Sequence, residues 1–426
     1  MNNRNDPKHQ TSKAWQYFVH SDSINNSIQC KRMSAIPLSA DLFPKPNLSL
    51  VLYGKNDLRL ETWPLPDKLE PDEVLLKSHS TGICGTDLHL WHNAQAADLK
   101  LTRPFCLGHE PSAIVMKCGS NVKHLQPGDN VAIEPPIPCL TCDICRSGRY
   151  NLCPISNEQS HGLPSSDGSL RRYYTHRADF CFKYSSSAIS FLANSIRPSL
   201  IIIFILSIRL PSSISLEEGT MVETLAVCVH AFRRLEFKPG ENVLICGAGP
   251  IGVLCLMVAK AFGCDQVCIT DIKQSRLEMA KQMGADHCYL IDAEAKKTEP
   301  QIAQEISKLM GGKAPDVGLE CSGFDSSQTL AVHAVKYGGR ICLLGLGSPV
   351  SRVPLSTVIM KEIVLIGAFR IKDDYPMAIR LMETGRINVK PLITQVYPIE
   401  QSMEAFKLLG TPGVENVFKV LIQYDQ

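Results

Sequence analysis

The sequence predicts a two-domain α/β protein that combines an all-β domain with a doubly wound parallel sheet. From about Lys45, short apolar runs such as LSLVLYG and LRLETW are separated by Gly, Pro, Asn and Asp at turn spacing, which is typical of a β-barrel or sandwich. From about Leu216, strands alternate with helices of roughly ten to fifteen residues, which indicates βαβ units on a parallel sheet. A chain of 426 residues also exceeds one core of ordinary size.

The predicted domain boundaries follow these changes of pattern. Residues 1–45 are polar, rich in Asn and Ser, and lack the continuous apolar core of a secretory signal, so we predict a disordered N-terminal extension. Residues 46–215 and 367–426 are assigned to the β-rich domain. Residues 216–366 are assigned to the parallel-sheet domain.

An unusual apolar segment, residues 185–210, lies at the junction between the two domains. Its core, LIIIFILSI, is about half the length that a membrane span requires, and Arg197 and Pro198 prevent its extension. The flanks FCFKY and PSSISLEEG would join into one sensible connection without it. We therefore predict an insertion and no membrane helix, and its origin is open between a functional segment and translated non-coding sequence.

Composition and charge exclude several classes of partner. The formal net charge is +2, so the protein as a whole attracts neither nucleic acid nor acidic membranes. There are 17 cysteines, and several of them, such as Cys246, Cys268 and Cys342, lie inside apolar strand-like runs. Because buried thiols act as small hydrophobic groups in a reducing compartment, we predict a cytoplasmic location.

A compact run of four cysteines, CLTCDICRSGRYNLC, has the spacing C-x2-C-x2-C-x7-C. One short segment of this kind can surround a single ion, and zinc prefers four thiolates in a tetrahedron. A reducing compartment disfavours disulfides, whereas the cysteine count permits an iron–sulfur cluster as an alternative. We predict a closed structural zinc site that braces a loop and has no position for substrate. Its ligands would be Cys139, Cys142, Cys145 and Cys153.

Catalysis at a metal requires an open position, and a second group of residues offers one. The segment GICGTDLHLW contains Cys84, and the segment LGHE contains His109 and Glu110. A thiolate, an imidazole and a carboxylate can hold zinc and leave a fourth position for water or a substrate oxygen. Taken alone, Glu110 could be an ordinary surface acid, and a lone histidine in a β domain is usually a hydrogen-bonded structural residue. The nucleotide motif that follows strengthens the interpretation as a catalytic metal site.

The motif GAGPIG at residues 247–252 predicts a dinucleotide site. It follows the apolar strand NVLIC and opens an apolar helix, which is the context that gives this glycine pattern its meaning. Gly247 permits the tight turn, Gly249 lets the backbone approach a pyrophosphate, and Gly252 allows the helix to pack closely on the strand. The helix N-terminus would then face the phosphates.

An acidic residue beyond this motif indicates which dinucleotide binds. Asp271 follows the strand QVCIT about twenty residues later, where a carboxylate can accept hydrogen bonds from the ribose hydroxyls and would repel a 2′-phosphate. The sequence therefore favours NAD. Lys273 and Arg276 lie nearby, and a cation there could accommodate NADP.

In this order, the motifs resemble those of the zinc-dependent medium-chain alcohol dehydrogenases, and among them the sorbitol, xylitol and arabinitol dehydrogenases. The passages that carry the resemblance are GICGTDLHLW, LGHE, GDNVAIEP, GRYNLCP, ETLAVCVHA, LICGAGPIG, VGLECSG, LLGLGS and GAFR. The resemblance extends from about Lys45 to the C-terminus, apart from the insertion. It implies a GroES-like catalytic domain, a Rossmann NAD-binding domain and a homotetramer.

The resemblance also implies roles for individual residues. It assigns the catalytic zinc to Cys84, His109 and Glu110, and it places Glu223 beside the metal and the substrate. Thr86 and His89 match the hydroxyl and the imidazole that pass the alcohol proton to solvent. Arg370 matches a residue that reaches both NAD and substrate. The implied NAD contacts are Ile251, Asp271, Arg276, Leu344, Gly345, Leu346, Ala368, Phe369 and Arg370.

Two residues of the expected substrate pocket depart from the family pattern. Leu90 and Ile371 stand where the family commonly has tyrosines. We expect zinc-dependent oxidation of a polyol to a ketose with hydride transfer to NAD, and no nucleic-acid partner. Because two hydroxyl partners are missing, a less hydroxylated secondary alcohol is an alternative substrate. An isoform that the insertion impairs is a further alternative.

Overall fold

The computed structural model describes residues 34–96, 99–184, 214–292, 294–348, 350–411 and 413–425. The predicted insertion at residues 185–210 lies outside the described residues, as does the extension up to residue 33. Both interpretations therefore stay predictions. Within the described part of the chain, no helix combines the length and the apolar character needed to cross a membrane.

Twenty strands and twelve α-helices are numbered here in chain order within the described residues. The strands are β1 Ile36–Pro37, β2 Leu48–Gly54, β3 Asp57–Thr62, β4 Lys68–Leu69, β5 Glu73–Gly82, β6 Gln95–Ala96, β7 Leu99–Lys100, β8 Phe105–Cys106, β9 Glu110–Cys118, β10 Asn130–Ile133, β11 Tyr173–Arg177, β12 Cys181–Lys183, β13 Val243–Cys246, β14 Val267–Asp271, β15 His287–Leu290, β16 Val317–Glu320, β17 Arg340–Leu343, β18 Val364–Gly367, β19 Ile393–Pro398 and β20 Lys419–Gln423. The α-helices are α1 Gly85–Asn93, α2 Asp143–Arg146, α3 Pro154–Gln159, α4 Leu216–Gly219, α5 Met221–Arg234, α6 Pro250–Ala261, α7 Gln274–Gln282, α8 Glu299–Leu309, α9 Asp325–Ala334, α10 Leu355–Met360, α11 Tyr375–Glu383 and α12 Ser402–Gly410.

The β-rich domain is built on a sheet of seven strands in the order β12-β10-β9-β5-β20-β19, with β11 also paired to β5. Most of its strand pairs are antiparallel, and β19 and β20 run parallel. The ten-residue strand β5 is central, and its last residue, Gly82, pairs with Glu110 at the start of β9. The C-terminal strand β20 lies on the other side of β5, so it brings residues from the end of the chain to the same region.

The second sheet has six parallel strands in the order β15-β14-β13-β16-β17-β18. Counted from β13, this is the order 3-2-1-4-5-6 of the doubly wound dinucleotide-binding fold. The strands are apolar and their central members are buried, because helices cover both faces of a parallel sheet. The predicted α/β fold class is confirmed.

The structure corrects the predicted end of the N-terminal extension. Strand β1 pairs with β4, with Ile36 opposite Leu69. Phe43 is buried and its ring lies 5.3 Å from that of Tyr173 in an edge-to-face arrangement. Residues 36–43 therefore belong to the folded β-rich domain. Their few apolar side chains pack against β4 and Tyr173, and the local sequence pattern does not indicate these contacts.

Two buried histidines in the β-rich domain pack against each other. The rings of His161 and His176 lie 4.4 Å apart at 81°, and the exposed fractions of the two residues are 6% and 1%. His176 Nε2 donates to the carbonyl of Glu134 at 3.0 Å, whereas the Nδ1 atoms of both rings have no hydrogen-bond partner. Burial lowers the pKa of His176 to about 4 and holds the pKa of His161 well below its usual range. Arg171 adds a like charge to both.

This pair should make the protein sensitive to acid. The pKa of each histidine is lower in the folded state than in the unfolded state. The unfolded chain therefore binds more protons below about pH 6.5, and the free energy of unfolding decreases as the pH is lowered. At pH 5, His176 alone should lower the free energy of unfolding by about 2 kcal/mol. A His176→Gln variant should therefore show a shallower decrease of its thermal unfolding midpoint between pH 7 and pH 5. Parallel curves for the two proteins would contradict this role.

Candidate active site

Three potential metal ligands meet where the β-rich sheet borders helix α1. Cys84 is the N-cap residue of α1, and His109 and Glu110 lie at the start of β9. Their ligand atoms all lie within 4.8 Å of one another. The end of β5 pairs with the beginning of β9, and the chain enters α1 shortly after β5. Cys84 therefore lies beside the beginning of β9. The structure thus brings together the three residues of the predicted open site, and a thiolate, an imidazole and a carboxylate form a donor set suited to zinc.

A buried aspartate that the sequence analysis missed supports this cluster. Asp87 is fully buried, and its Oδ1 lies 3.5 Å from His109 Nδ1. Its carboxylate also accepts hydrogen bonds from the backbone N–H groups of Cys84, at 3.0 Å, and Gly108, at 3.3 Å. Asp87 therefore ties the two ligand segments together and orients the imidazole, as carboxylates commonly do for metal-bound histidines. Its position three residues after Cys84, as in a capping box, was an available signal.

The third potential ligand is held by residues from distant parts of the chain. Glu110 is 1% exposed, and it accepts a hydrogen bond from the Thr224 hydroxyl at 3.1 Å and one from Lys419. Gly82 provides space for the Glu110 carboxylate, since a Cβ at that position would overlap it. The sequence analysis missed Thr224 and Lys419, and no local spacing connects them to Glu110.

The residues predicted to act on the substrate lie around this cluster. The Thr86 hydroxyl is 3.7 Å from Cys84 Sγ, and His89 is an exposed residue one helical turn further along α1. Glu223 is half-buried on α5. Burial and the negative charge of Glu110 raise the pKa of Glu223 to about 7.

Two residues predicted to line the substrate pocket are buried in the structure. Leu90 is fully buried and belongs to a core cluster that also contains Trp91 and Phe406. Ile371 is 1% exposed and belongs to the core of the nucleotide-binding region. Both side chains are apolar and pack into these cores. Their role in lining the substrate pocket stays a prediction.

Arg370 connects the two parts of the protein. It has a left-handed backbone (φ 57°), and its guanidinium donates to the Ser160 hydroxyl at 2.8 Å and to the Ser156 carbonyl at 3.2 Å. Its carbon Cζ lies 4.7 Å from the centre of the Phe369 ring. Burial lowers the pKa of Arg370 to about 10, and the charge of Glu223 opposes that shift. The guanidinium is thus held near Glu223, on the β-rich side of the junction.

The geometry of the four-cysteine run fits a tetrahedral metal site. The sulfur atoms of Cys139, Cys142, Cys145 and Cys153 all lie within 4.8 Å of one another, and the separations from Cys139 to Cys145 and Cys153 are 3.9 and 3.6 Å. Four sulfurs about 2.3 Å from a central zinc lie about 3.8 Å apart. No disulfide joins these residues.

The electrostatics of this cluster also favour a bound cation. Hydrogen bonds from the backbone around Thr141 and Cys142 lower the pKa of the Cys139 thiol to about 5. Burial and the neighbouring sulfurs raise the pKa of the Cys145 thiol to about 12. The four thiols therefore cannot all ionise near neutral pH unless a cation lies between them. The cluster fits structural zinc, whose two positive charges would stabilise the thiolates.

The glycine motif forms the turn between β13 and α6. Gly247 has a left-handed backbone (φ 100°), and Gly249 is the N-cap of α6. A Cβ at Gly249 would meet no atom within 4 Å, so open space lies beside this backbone where a pyrophosphate could approach. A Cβ at Gly252 would overlap the Gly247 carbonyl, so the helix and the turn can pack this closely only with glycine there.

The acid at the end of β14 is held beside this turn. Asp271 Oδ2 accepts a hydrogen bond from the Ala248 N–H at 2.8 Å, and Oδ1 accepts one from the Lys273 N–H at 2.9 Å. Arg276 Nη1 lies 3.6 Å from Asp271 Oδ2. The carboxylate is therefore fixed at the sheet edge, where it can receive ribose hydroxyls, and the adjacent guanidinium is already paired with it.

The remaining predicted nucleotide contacts follow strands β17 and β18. Residues 344–346 lie directly after β17, and residues 368–370 lie directly after β18. All of these positions, like the glycine turn and Asp271, are at the carboxyl edge of one parallel sheet, which is where ligands bind in this type of fold. Leu346 and Phe369 are exposed there, with exposed fractions of 66% and 39%.

A dinucleotide-binding sheet combined with an open thiolate, imidazole and carboxylate cluster defines a metal-dependent dehydrogenase. Residues 70–186 match the family model of the alcohol dehydrogenase GroES-like domain, and residues 250–384 match that of the zinc-binding dehydrogenases. The chain belongs to the family of zinc-dependent alcohol dehydrogenases, in the group that contains the sorbitol dehydrogenases.

Similar proteins of known identity support this assignment over nearly their whole length. Sorbitol dehydrogenase from Bos taurus is 42% identical over 379 residues, which cover 89% of this chain and 96% of that protein. The Homo sapiens sorbitol dehydrogenase is 41% identical, with coverage of 85% and 93%. The crystal structure of galactitol-1-phosphate dehydrogenase from Escherichia coli superposes with a TM-score of 0.74 at 26% identity, and covers 88% of this chain and 99% of its own.

Proposed function

We propose that this protein oxidises a secondary alcohol of a polyol to a ketone and transfers the hydride to NAD, as a sorbitol dehydrogenase does. The observation that carries the proposal is the cluster of Cys84, His109 and Glu110, whose ligand atoms lie within 4.8 Å of one another. A thiolate, an imidazole and a carboxylate all bind zinc, and three protein ligands leave its fourth position open for water or substrate. The similarity to the sorbitol dehydrogenases supports a polyol substrate.

Two zinc ions per subunit have separate tasks in this proposal. Cys84, His109 and Glu110 hold the catalytic ion, and when bound it supplies a Lewis acid that lowers the pKa of the alcohol hydroxyl. The four residues of the cysteine run hold the structural ion. That second site is closed, so it braces the loop that precedes α3. Its ligands are Cys139, Cys142, Cys145 and Cys153.

The residues around the catalytic cluster move the proton and orient the substrate. The Thr86 hydroxyl lies beside Cys84 Sγ and would accept the alcohol proton while it gives up its own, which exposed His89 would pass to solvent. Glu223, which lies near Glu110 and His109, would hydrogen-bond water or a substrate hydroxyl beside the metal ligands. Arg370 donates to a substrate hydroxyl and contacts the cofactor.

NAD binds along the carboxyl edge of the six-stranded sheet and supplies the hydride acceptor. The glycine turn at residues 247–252 would hold its pyrophosphate, and Asp271 would accept hydrogen bonds from the ribose hydroxyls. Because the Asp271 carboxylate would repel a 2′-phosphate and already pairs with Arg276, NAD is preferred over NADP. The remaining contacts come from Ile251, from residues 344–346 and from residues 368–370.

We further propose a homotetramer in the cytoplasm. Strand β18 is an edge strand of its sheet, and apolar side chains next to it are exposed. The exposed fractions are 61% for Leu355, 74% for Ile359, 70% for Met360 and 51% for Val364. An open edge beside such a patch favours pairing with a second copy of the chain. The 17 cysteines are consistent with a reducing compartment.

The proposal can be tested by measuring kcat/KM for a panel of alcohols with NAD and with NADP. Purified zinc-loaded protein should reduce NAD with sorbitol or xylitol and should use NADP at least about tenfold less efficiently in kcat/KM. A simple diol such as butane-2,3-diol serves as the less hydroxylated comparison. Higher kcat/KM for the diol than for every polyol would replace the proposed substrate class, and no turnover with any alcohol would overturn the proposed activity.

A further inference from the structure

A buried lysine lies directly behind the catalytic cluster. Lys419 begins strand β20, close to the C-terminus, and is 3% exposed. Lysine is rarely buried to this extent unless a partner compensates its charge, because removing an ammonium group from water costs several kcal/mol. The residue is therefore held in place by specific contacts.

Those contacts are to Glu110 and to the residue that also binds Glu110. Lys419 Nζ donates to Glu110 Oε2, and it lies 3.4 Å from the Thr224 hydroxyl. Thr224 donates to the other carboxylate oxygen, Oε1, at 3.1 Å. Both oxygens of Glu110 are thus bound, one by an ammonium from β20 and one by a hydroxyl from α5.

This arrangement fixes the orientation of the carboxylate while leaving it able to bind a metal. Each carboxylate oxygen has about two acceptor positions, so one hydrogen bond per oxygen leaves a further position on each. The Glu110 carboxylate also fills the space above Gly82, which has no side chain to displace it. Rotation of the carboxylate would break both hydrogen bonds and separate the buried ammonium of Lys419 from its ion-pair partner.

We infer that Lys419 is a positioning residue for the catalytic zinc, which acts by holding Glu110 in the orientation required of a metal ligand. The inference rests on the proposed function, since it requires zinc at Cys84, His109 and Glu110. Lys419 itself contacts neither metal nor substrate. Replacing it should weaken the retention of the catalytic zinc, as the loss of residues that orient metal ligands commonly lowers metal affinity by 10-fold to 100-fold.

The test measures how quickly folded protein releases zinc to an excess of a chromogenic chelator. Wild-type protein should release zinc in two phases, and the phase absent from a Cys84→Ser variant identifies the catalytic site. In Lys419→Met, which keeps the length of the side chain and removes the charge, this phase should be at least tenfold faster. Lys419→Arg restores a positive donor and should return the rate to within about threefold of wild type.

A matched control removes a half-buried lysine that lies elsewhere. Lys361 donates to the carbonyls of Val332, His333 and Val335 and contacts no candidate ligand. Lys361→Met should therefore leave both zinc phases unchanged. Circular dichroism before mixing establishes that each variant is folded at the temperature of the assay.

The outcomes separate the inference from the proposed function. Wild-type protein that carries no zinc at the Cys84 site would overturn the proposed function itself. If wild type holds this zinc and Lys419→Met releases it at the wild-type rate or more slowly, the positioning role is wrong and the proposed function stands. Equal acceleration in Lys419→Met and Lys361→Met would show that only general stability had changed, and would overturn the positioning role.

Discussion

Replacing Glu110 by alanine should lower kcat for NAD-dependent polyol oxidation by at least about a thousandfold, equivalent to about 4 kcal/mol of transition-state stabilisation. The change removes one of three protein ligands proposed for the catalytic zinc. It also leaves the ammonium of Lys419 buried without its partner. Loss of the metal removes the Lewis acid, and the remaining residues cannot replace it.

The measurement combines initial rates at saturating sorbitol and NAD with metal analysis of the same samples. Glu110→Ala should retain about one zinc per subunit, whereas wild type should contain about two. Glu218→Ala is a suitable control, because Glu218 is a helix-capping residue that contacts no candidate ligand. It should retain both ions and nearly wild-type kcat. Wild-type turnover in Glu110→Ala would remove this residue from the catalytic site.

Replacing Cys145 by serine should eliminate the second zinc ion and destabilise the protein. Serine is a poor zinc ligand, and three thiolates packed within 4.8 Å of one another repel one another without a fully bound cation. Because the metal closes the loop around α2, its loss should lower the thermal unfolding midpoint by about 5 °C or more at a fixed heating rate.

Activity should fall less in this variant than in Glu110→Ala, because the closed site has no position for substrate. The loop does reach the nucleotide-binding region, since the Asn151 side chain donates to the Phe369 carbonyl at 2.9 Å. We therefore expect a decrease in kcat of up to about tenfold. Cys118→Ser, which changes a free thiol outside the cluster, is the matched control and should keep both ions. Two zinc ions in Cys145→Ser would contradict the structural zinc site.

Features that depend on neighbouring residues along the chain could be predicted from the sequence. The cysteine run supplies all four ligands within one short segment, so its spacing alone indicated a metal site, and the structure places the four sulfurs together. The glycine turn and Asp271 could also be predicted, because a strand, a tight turn, a helix and a following acid form one local unit. The alternation of strands and helices predicted the parallel sheet for the same reason.

Features that depend on contacts between distant segments could not be predicted from local sequence patterns. The hydrogen bond between Lys419 and Glu110 joins residues 309 positions apart, and nothing near either residue indicates it. Leu90 matches a tyrosine position of the family's substrate pocket, whereas its burial depends on which face of α1 meets Phe406 and the rest of the core. Residues 36–43 were assigned to a disordered extension because their pairing with β4 is not a local property.

The fold class, the grouping of the four cysteines and the nucleotide motif thus follow from the sequence alone, because short-range geometry fixes each of them. The contacts that hold Glu110 became visible only in the folded protein. The pairing of β5 with β9 places Cys84 beside Glu110. Strand β20 and helix α5 place Lys419 and Thr224 next to the two carboxylate oxygens of Glu110. The physical basis of this arrangement is the pairing of buried charges, which depends on distances in space and leaves no periodic pattern in the chain.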